Sequence, residues 1–255
     1  VLSKNQIKRI RALHRKKNRR EQGLFLVEGE KMVAELLASS WPIESLYATE
    51  EFTHQYATAI THKRANVFPA TASNLAAVGT LVTNNAAIAI VPIPTTAESP
   101  SPAQMQDEWV LALDSINDPG NLGALLRVAD WYGIRHIVCS PNTAELHNPK
   151  VISASKGSFL RVTTHYLALE DYFRSLPSDT TVLGAYLEGD NIHTYSPSSQ
   201  GGVLVMGSEA HGIHPSLASY ITHPITIPAF GQAESLNVAV ATAVICDNLR
   251  RKKNS

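Results

Sequence analysis

The reading starts from Val110-Leu111-Ala112-Leu113-Asp114-Ser115-Ile116-Asn117-Asp118-Pro119-Gly120-Asn121-Leu122-Gly123-Ala124-Leu125-Leu126-Arg127. Val110 to Ile116 is a short, mostly apolar run, the pattern of a strand buried on both faces of a parallel sheet. Asp118 to Gly120 is a turn, and Asn121 to Tyr132 has helical spacing, with Asn121 expected as its N-cap. His136 to Ser140 reads as the next strand, which makes a βαβ unit. Further strands are predicted at Phe159 to Val162, Thr181 to Leu187, Val203 to Gly207 and Ile225 to Pro228. Helices are predicted at Glu170 to Leu176 and from Ser235 to Arg251. This alternation predicts an α/β, doubly wound parallel sheet with ligand chemistry beyond the carboxyl ends of its strands.

Toward the N-terminus, Pro92, Pro94, Pro100 and Pro102 stand among Thr, Ser and Glu, the composition of a proline-stiffened linker. The expected division is a smaller α/β domain over 1–94, a linker over 95–107 and the parallel-sheet domain over 108–255. Within the first part, one helix capped by Ser3 is expected to run to Gly23, followed by alternating short strands and helices as far as Pro94.

The 255-residue chain balances 22 Lys+Arg against 22 Asp+Glu, but the sum hides a segregation. Lys4, Lys8, Arg9, Arg11, Arg15, Lys16, Lys17, Arg19 and Arg20 occur with no acidic residue between them, and Arg250 to Lys253 add four more cations. All 22 carboxylates lie between these basic ends, a distribution that points to a polyanionic partner or, on charge alone, equally to a solvated charged helix. With 44% hydrophobic residues the chain is not an intrinsically disordered one. No apolar run of about 18 residues predicts a membrane span. The basic N-terminus lacks the apolar stretch of a secretory signal. Cys139 and Cys246 have no CxxC spacing and read as thiols of a reducing, cytoplasmic compartment. His211 and His214 lack a third ligand at metal spacing, so no metal is expected.

Three loops carry the chemistry. Asn121, Gly123 and Arg127 follow the first strand, in neither a Walker nor a GxGxxG pattern, which argues against a Rossmann-type oxidoreductase. Arg127 either reaches a ligand phosphate or pairs with Asp130. Gly207-Ser208-Glu209-Ala210-His211-Gly212 follows a buried strand, where Ser208 and Glu209 could also cap a short helix. Glu234-Ser235-Leu236-Asn237 opens the last helix; capping explains Ser235, whereas Asn237 inside a packed first turn has no ready structural explanation.

Together these elements resemble the signature motifs of the SpoU/TrmH-type RNA ribose 2′-O-methyltransferases of the SPOUT superfamily: NxGxxxR at Asn121 to Arg127, GSExxG at Gly207 to Gly212 and ESLNVxVA at Glu234 to Ala241. The likeness covers Val110 to Arg251. Leu2 to Pro94 is more loosely similar to the substrate-binding domain of many members, and Asn148 to Phe159 to a segment the family holds near the nucleic acid. Ala229 stands where methionine is commoner, and Ala210-His211 where glycine is.

The resemblance implies a SPOUT domain with a deep trefoil knot, S-adenosylmethionine as methyl donor, and transfer to a ribose 2′-hydroxyl. The RNA implied is ribosomal in preference to transfer RNA, and the protein is implied to be a homodimer. Arg127, Asn121, Glu209, Ser235 and Asn237 fall at its catalytic positions, and Met206, Gly207, Ile227, Pro228 and Leu236 at its cofactor positions. The basic run from Lys4 to Arg20 is the expected RNA contact. A non-catalytic RNA-binding or ribosome-assembly factor on the same fold is the alternative.

Overall fold

The computed structural model describes residues 2–95, 107–197 and 199–253, with residues 252 and 253 by backbone alone. It contains two compact units, 1–95 with 145–160, and 96–144 with 161–255. The expected linker falls almost wholly outside the described residues, as do the side chains of Lys252 and Lys253.

The first unit opens with two helices in place of one, α1 (Lys4–Ala12) and α2 (Lys16–Gln22). Ser3 and Gln6 form a reciprocal capping box on α1, and Gly23 ends α2 in the left-handed region at φ 65°. The break comes where Arg19 folds back and donates to the carbonyls of Leu13 and His14, both at 2.9 Å. After it come β1 (Leu24–Glu28), α3 (Glu30–Ala38), β2 (Ser45–Ala48), α4 (Glu50–Gln55), α5 (Ala57–Lys63), β3 (Asn66–Pro69), α6 (Ala72–Val78) and β4 (Ala87–Pro92). The sheet order is β1-β4-β2-β3, with β4 antiparallel to both of its neighbours. Ile10 and Leu13 join Leu26, Leu75, Ile88 and Ile90 in its core, so the cationic helix is anchored by its apolar stripe.

The second unit holds β5 (Trp109–Leu113), α7 (Pro119–Trp131) and β6 (His136–Cys139). After α8 (Pro149–Ser155), which belongs to the first unit, it continues with β7 (Thr163–Tyr166), α9 (Leu169–Arg174), β8 (Val182–Asn191), β9 (Gly202–Met206), β10 (His223–Thr226) and α10 (Val238–Lys253). Its six strands run in the order β10-β8-β9-β5-β6-β7, and every pairing is parallel. The central strands β5 and β9 are buried at every residue, which is why both are continuous apolar runs.

Two sequence expectations fail here for identifiable reasons, and a third stretch packs outside the unit that its place in the chain suggests. The strand expected at Phe159 to Val162 is a 3₁₀ turn over Ser158–Leu160, and β7 starts at Thr163. Phe159 is apolar because it packs edge-on against Phe25 and Trp41, at 6.1 and 5.6 Å between ring centroids. The stretch 145–160, expected in the C-terminal domain, groups with the first unit through this cluster, through His147 on Phe25 (4.6 Å) and through the Arg19–Glu145 ion pair (2.6 Å). The last helix begins at Val238 and not at Ser235.

Candidate active site

Asp118, not Asn121, caps α7: its Oδ1 accepts from the Asn121 amide at 2.8 Å, with Pro119 at the first helical position. That releases the Asn121 side chain. Its Nδ2 donates to Glu209 Oε1 at 3.1 Å, from a helix start that follows β5 to a loop that follows β9. Asn237 completes the cluster by donating from Nδ2 to Asn121 Oδ1 at 2.9 Å and to Glu209 Oε1 at 3.1 Å. The three separate motifs of the sequence thus meet in one hydrogen-bonded triangle at the carboxyl ends of adjacent strands, where an open parallel sheet binds ligands.

Asn237 is also the N-cap of α10. Its Oδ1 accepts from the amides of Ala239 (3.0 Å) and Val240 (3.4 Å), and its carbonyl accepts from Ala241 at 2.9 Å. Its amide therefore uses both N–H donors and both oxygen lone pairs. Glu209 Oε1 takes the Val238 amide as well, at 3.4 Å, so a carboxylate sits where the helix dipole favours negative charge. Ser235, expected as part of this helix start, lies exposed in the preceding loop with no hydrogen bond to the cluster.

Arg127 is exposed, two turns into α7, and makes no ion pair or hydrogen bond with another described residue. Asp130, its suggested partner, is held by Arg161 at 2.8 Å. Ser208 and Glu209 do not cap the short 3₁₀ helix that follows them. Ser208 and Gly212 instead exchange backbone hydrogen bonds of 3.2 and 2.8 Å across a tight turn, and His214 caps the 3₁₀ turn at Pro215–Tyr220. An added Cβ at Gly207 would lie 2.0 Å from the Gly212 carbonyl carbon, so only glycine fits there. Met206 is buried at the end of β9, Ile227 and Pro228 are half-buried just past β10, and Leu236 is 47% exposed on the same loop. These residues offer apolar surface and closely packed backbone, with no charged side chain among them, which fits an adenosyl group recognised through main-chain atoms.

Sequence reasoning missed Asp114, whose signal was a carboxylate ending an apolar strand. Buried at 6% exposure, it accepts from the His214 amide at 2.7 Å and the Ser115 hydroxyl at 3.0 Å, tying the turn after β9 to the end of β5. Of the basic run, Lys4, Lys8, Arg11, Arg15, Lys16, Lys17 and Arg20 are exposed, while Arg9 pairs with Glu44. Arg19 corrects the expectation: at 2% exposure, with its guanidinium on Glu145 and two carbonyls, it presents nothing to RNA. Among the described residues no group of three metal-ligating side chains occurs, and no helix is long and apolar enough to cross a membrane.

A family model described as the SpoU rRNA methylase family matches residues 108–247, and one described as an MRM3-like substrate binding domain matches residues 4–89. The Bacillus subtilis 23S rRNA (guanosine(2553)-2'-O)-methyltransferase RlmP is 30% identical in an alignment of 258 positions that covers 97% of each chain. A solved TrmH-family structure from Porphyromonas gingivalis matches with a TM-score of 0.84 at 35% identity, over 99% of both chains. The AdoMet-bound rRNA methyltransferase from Sinorhizobium meliloti gives a TM-score of 0.85 at 28% identity, over 98% of this chain and 97% of that one. The sequence motifs, the six-stranded parallel sheet and the convergence of Asn121, Glu209 and Asn237 agree with these matches, and the chain belongs to the SpoU rRNA methylase family.

Proposed function

We propose that the protein is an S-adenosylmethionine-dependent methyltransferase acting on a ribose 2′-hydroxyl of ribosomal RNA. The observation that carries this reading is the triangle of Asn121, Glu209 and Asn237, drawn from three distant motifs. S-adenosylmethionine, when bound, supplies a methyl group on a positively charged sulfur that leaves as a neutral thioether. Met206, Gly207, Ile227, Pro228 and Leu236 would hold it, largely through backbone and apolar contact.

Arg127 is the residue for the developing oxyanion. As the 2′-hydroxyl proton passes to solvent or a base, negative charge grows on the oxygen, which then bonds the methyl carbon as the S–C bond breaks and the neutral thioether leaves. Arg127 acts as a cation that stabilises this charge or grips the adjoining phosphate. That its side chain pairs with no other described residue supports that role. Asn237 is a positioning residue, because its amide is fully engaged by the protein. Glu209 fixes Asn121 and Asn237, and in this reading Ser235, exposed on its loop, meets the nucleotide.

Exposed cations on α1 and α2 bind the RNA backbone in this reading. The chain acts as a homodimer, a reading supported by Trp131 and Val240, 84% and 50% exposed on helices α7 and α10, which pack against each other. The knot expected from the family is part of the same proposal. In its support, β10 lies outside β8, yet the chain that follows it returns past β8 to Glu209 behind β9. Buried thiols at Cys139 and Cys246 suit the reducing cytoplasm, where ribosomes are assembled. The test is to map ribose methylations across cellular RNA with and without the gene. One ribosomal RNA position lost on deletion, and restored by the wild-type chain but not by Arg127→Ala, is the expected result; an unchanged map overturns the proposal.

A further inference from the structure

Phe230 lies on the loop that joins β10 to α10, between Thr226 at the end of β10 and Asn237 at the start of the helix. Both ends of that loop are held at the carboxyl end of the sheet. Thr226 donates from its hydroxyl to the Leu187 carbonyl at 3.0 Å, and Asn237 is bonded to Asn121 and Glu209. An extended chain spans at most about 3.6 Å per residue, so Phe230 stays within about 15 Å of Thr226 and about 25 Å of Asn237. Every residue from Ala229 to Asn237 is exposed. Phe230 is 95% exposed and meets no other aromatic ring among the described residues. Gly231 beside it has open space where a side chain would stand. Leu187 is a second apolar side chain on this rim, 78% exposed. It sits in a bulge of β8, where the partners of β10 jump from Gly184 to Asp190, past the last β8–β9 pair at Gly184 and Val205. Single exposed apolar residues are ordinary on a protein surface, but two at the mouth of one site point to a ligand.

We propose that Phe230 stacks on the base of the nucleotide whose 2′-hydroxyl is methylated, and so positions that ribose for transfer. This rests on the RNA-methyltransferase reading and adds a substrate-positioning residue to it. The chemistry of the target selects the occupant. A base hangs on C1′, next to the C2′ that carries the reacting oxygen, so a ring that holds the base also restricts the hydroxyl. Bases in single-stranded RNA can be splayed from their neighbours and stacked on an aromatic side chain. Such stacking needs only the flat face that every base has, which one exposed phenyl ring matches in size. A second copy of the chain suits this loop less well. Phe230 stands among Gly231, Gln232, Glu234 and Ser235, whereas the core of a protein interface is depleted in charged residues. The cofactor positions Met206, Ile227 and Pro228 are buried or half-buried, and a ring at 95% exposure is not packed among them.

The test uses the full-length chain and protein-free 23S ribosomal RNA. Phe230→Ala should lower kcat/KM for methyl transfer by at least about fivefold, the loss of one base–aromatic stack. Melting temperature and S-adenosylmethionine affinity, the latter read by calorimetry, should not change. Phe230→Tyr should retain most of the wild-type kcat/KM, whereas Phe230→Leu, apolar but without a π-face, should behave like the alanine variant. Wild-type kcat/KM in the alanine or the leucine variant overturns the proposal. A drop in S-adenosylmethionine affinity that accounts for the whole loss in Phe230→Ala assigns the ring to the cofactor and also overturns it. Photocrosslinking from p-benzoylphenylalanine placed at position 230 decides the matter independently of kinetics. Crosslinks to the methylated nucleotide or its immediate neighbours support the stack. Crosslinks confined to a second copy of the chain, or to distant RNA, overturn it. Failure of the functional reading is seen separately, before any variant is made: a wild-type chain that transfers no methyl group to RNA overturns that reading and this proposal with it.

Discussion

Asp130 lies three residues after Arg127 on α7, yet its carboxylate is held by Arg161, whose Nε and Nη2 stand 2.9 and 2.8 Å from Oδ2. The carboxylate that could have neutralised Arg127 is thereby engaged elsewhere, and the one cation of the NxGxxxR motif keeps its charge available. Arg161 thereby bears on the site through Asp130.

Replacing Arg127 by lysine retains the charge and removes the planar fork. Turnover of ribosomal RNA should fall at least about 100-fold, the order seen when one oxyanion-stabilising donor is lost. S-adenosylmethionine affinity should stay within about twofold, since uniform binding is not altered. Single-turnover methyl transfer reads the first and calorimetry the second; a lysine variant with wild-type turnover would sink the geometric role.

Asn237→Ala removes an N-cap and two arms of the triangle together. The cap alone is worth about 1 kcal/mol, so thermal melting should show a modest loss beside a large loss of methyl transfer. Asn237→Asp separates the two effects. It keeps an oxygen for the Ala239 and Val240 amides but sets a second carboxylate beside Glu209. Its stability should exceed that of the alanine variant while its activity stays low. Equal activity in the aspartate variant and wild type would remove Asn237 from the machinery.

Arg19→Met should behave unlike every other change in the basic run. Arg19 is buried and paired with Glu145, and removing one partner of such a pair costs about 3–5 kcal/mol. The expected result is a strongly lowered melting temperature. Lys16→Ala with Lys17→Ala should instead leave melting nearly unchanged, since both side chains are exposed, and should reduce RNA affinity and its salt slope. A loss of RNA affinity in Arg19→Met at unchanged stability would reverse the assignment.

His147 makes the first unit sensitive to acid. Burial pushes its imidazole down to about 4, with Glu145 opposing the shift and Arg19 reinforcing it. The unfolded chain takes up this proton near pH 6.5, and the folded chain resists it until about pH 4. Stability that this group contributes above pH 6.5 is therefore lost as pH falls toward 4, by up to about 1.4 kcal/mol per pH unit. Between about pH 7 and about pH 5, melting temperature should drop less in His147→Phe than in wild type. Equal drops would remove His147 from the acid response.

The parallel sheet was legible because β5 and β9 are apolar at nearly every position, a pattern few other environments produce. The three motifs were legible as separate loops, but their hydrogen bonds were not. Asn121 looked like a cap because its position fits one; Asp118, three residues earlier, competes for the same amides and wins. Asn237 was only partly explicable from its neighbours, since half of its side-chain bonds go to Asn121 and Glu209, 116 and 28 positions away. The packing of residues 145–160 with the first unit was illegible for a related reason: an ion pair between Arg19 and Glu145 spans 126 positions, and periodicity carries no trace of it. Arg19 itself reads as one more cation in a run until its burial is seen.

The double use of Asn237 makes the start of α10 and the order of the active site a single equilibrium. Whenever the first turn of that helix opens, Asn121 and Glu209 lose a shared donor, so local fraying and loss of the assembled site are the same event. Hydrogen exchange at the Ala239 and Val240 amides, both bonded to Asn237 Oδ1, therefore reports how often the enzyme is competent, before any substrate has been added.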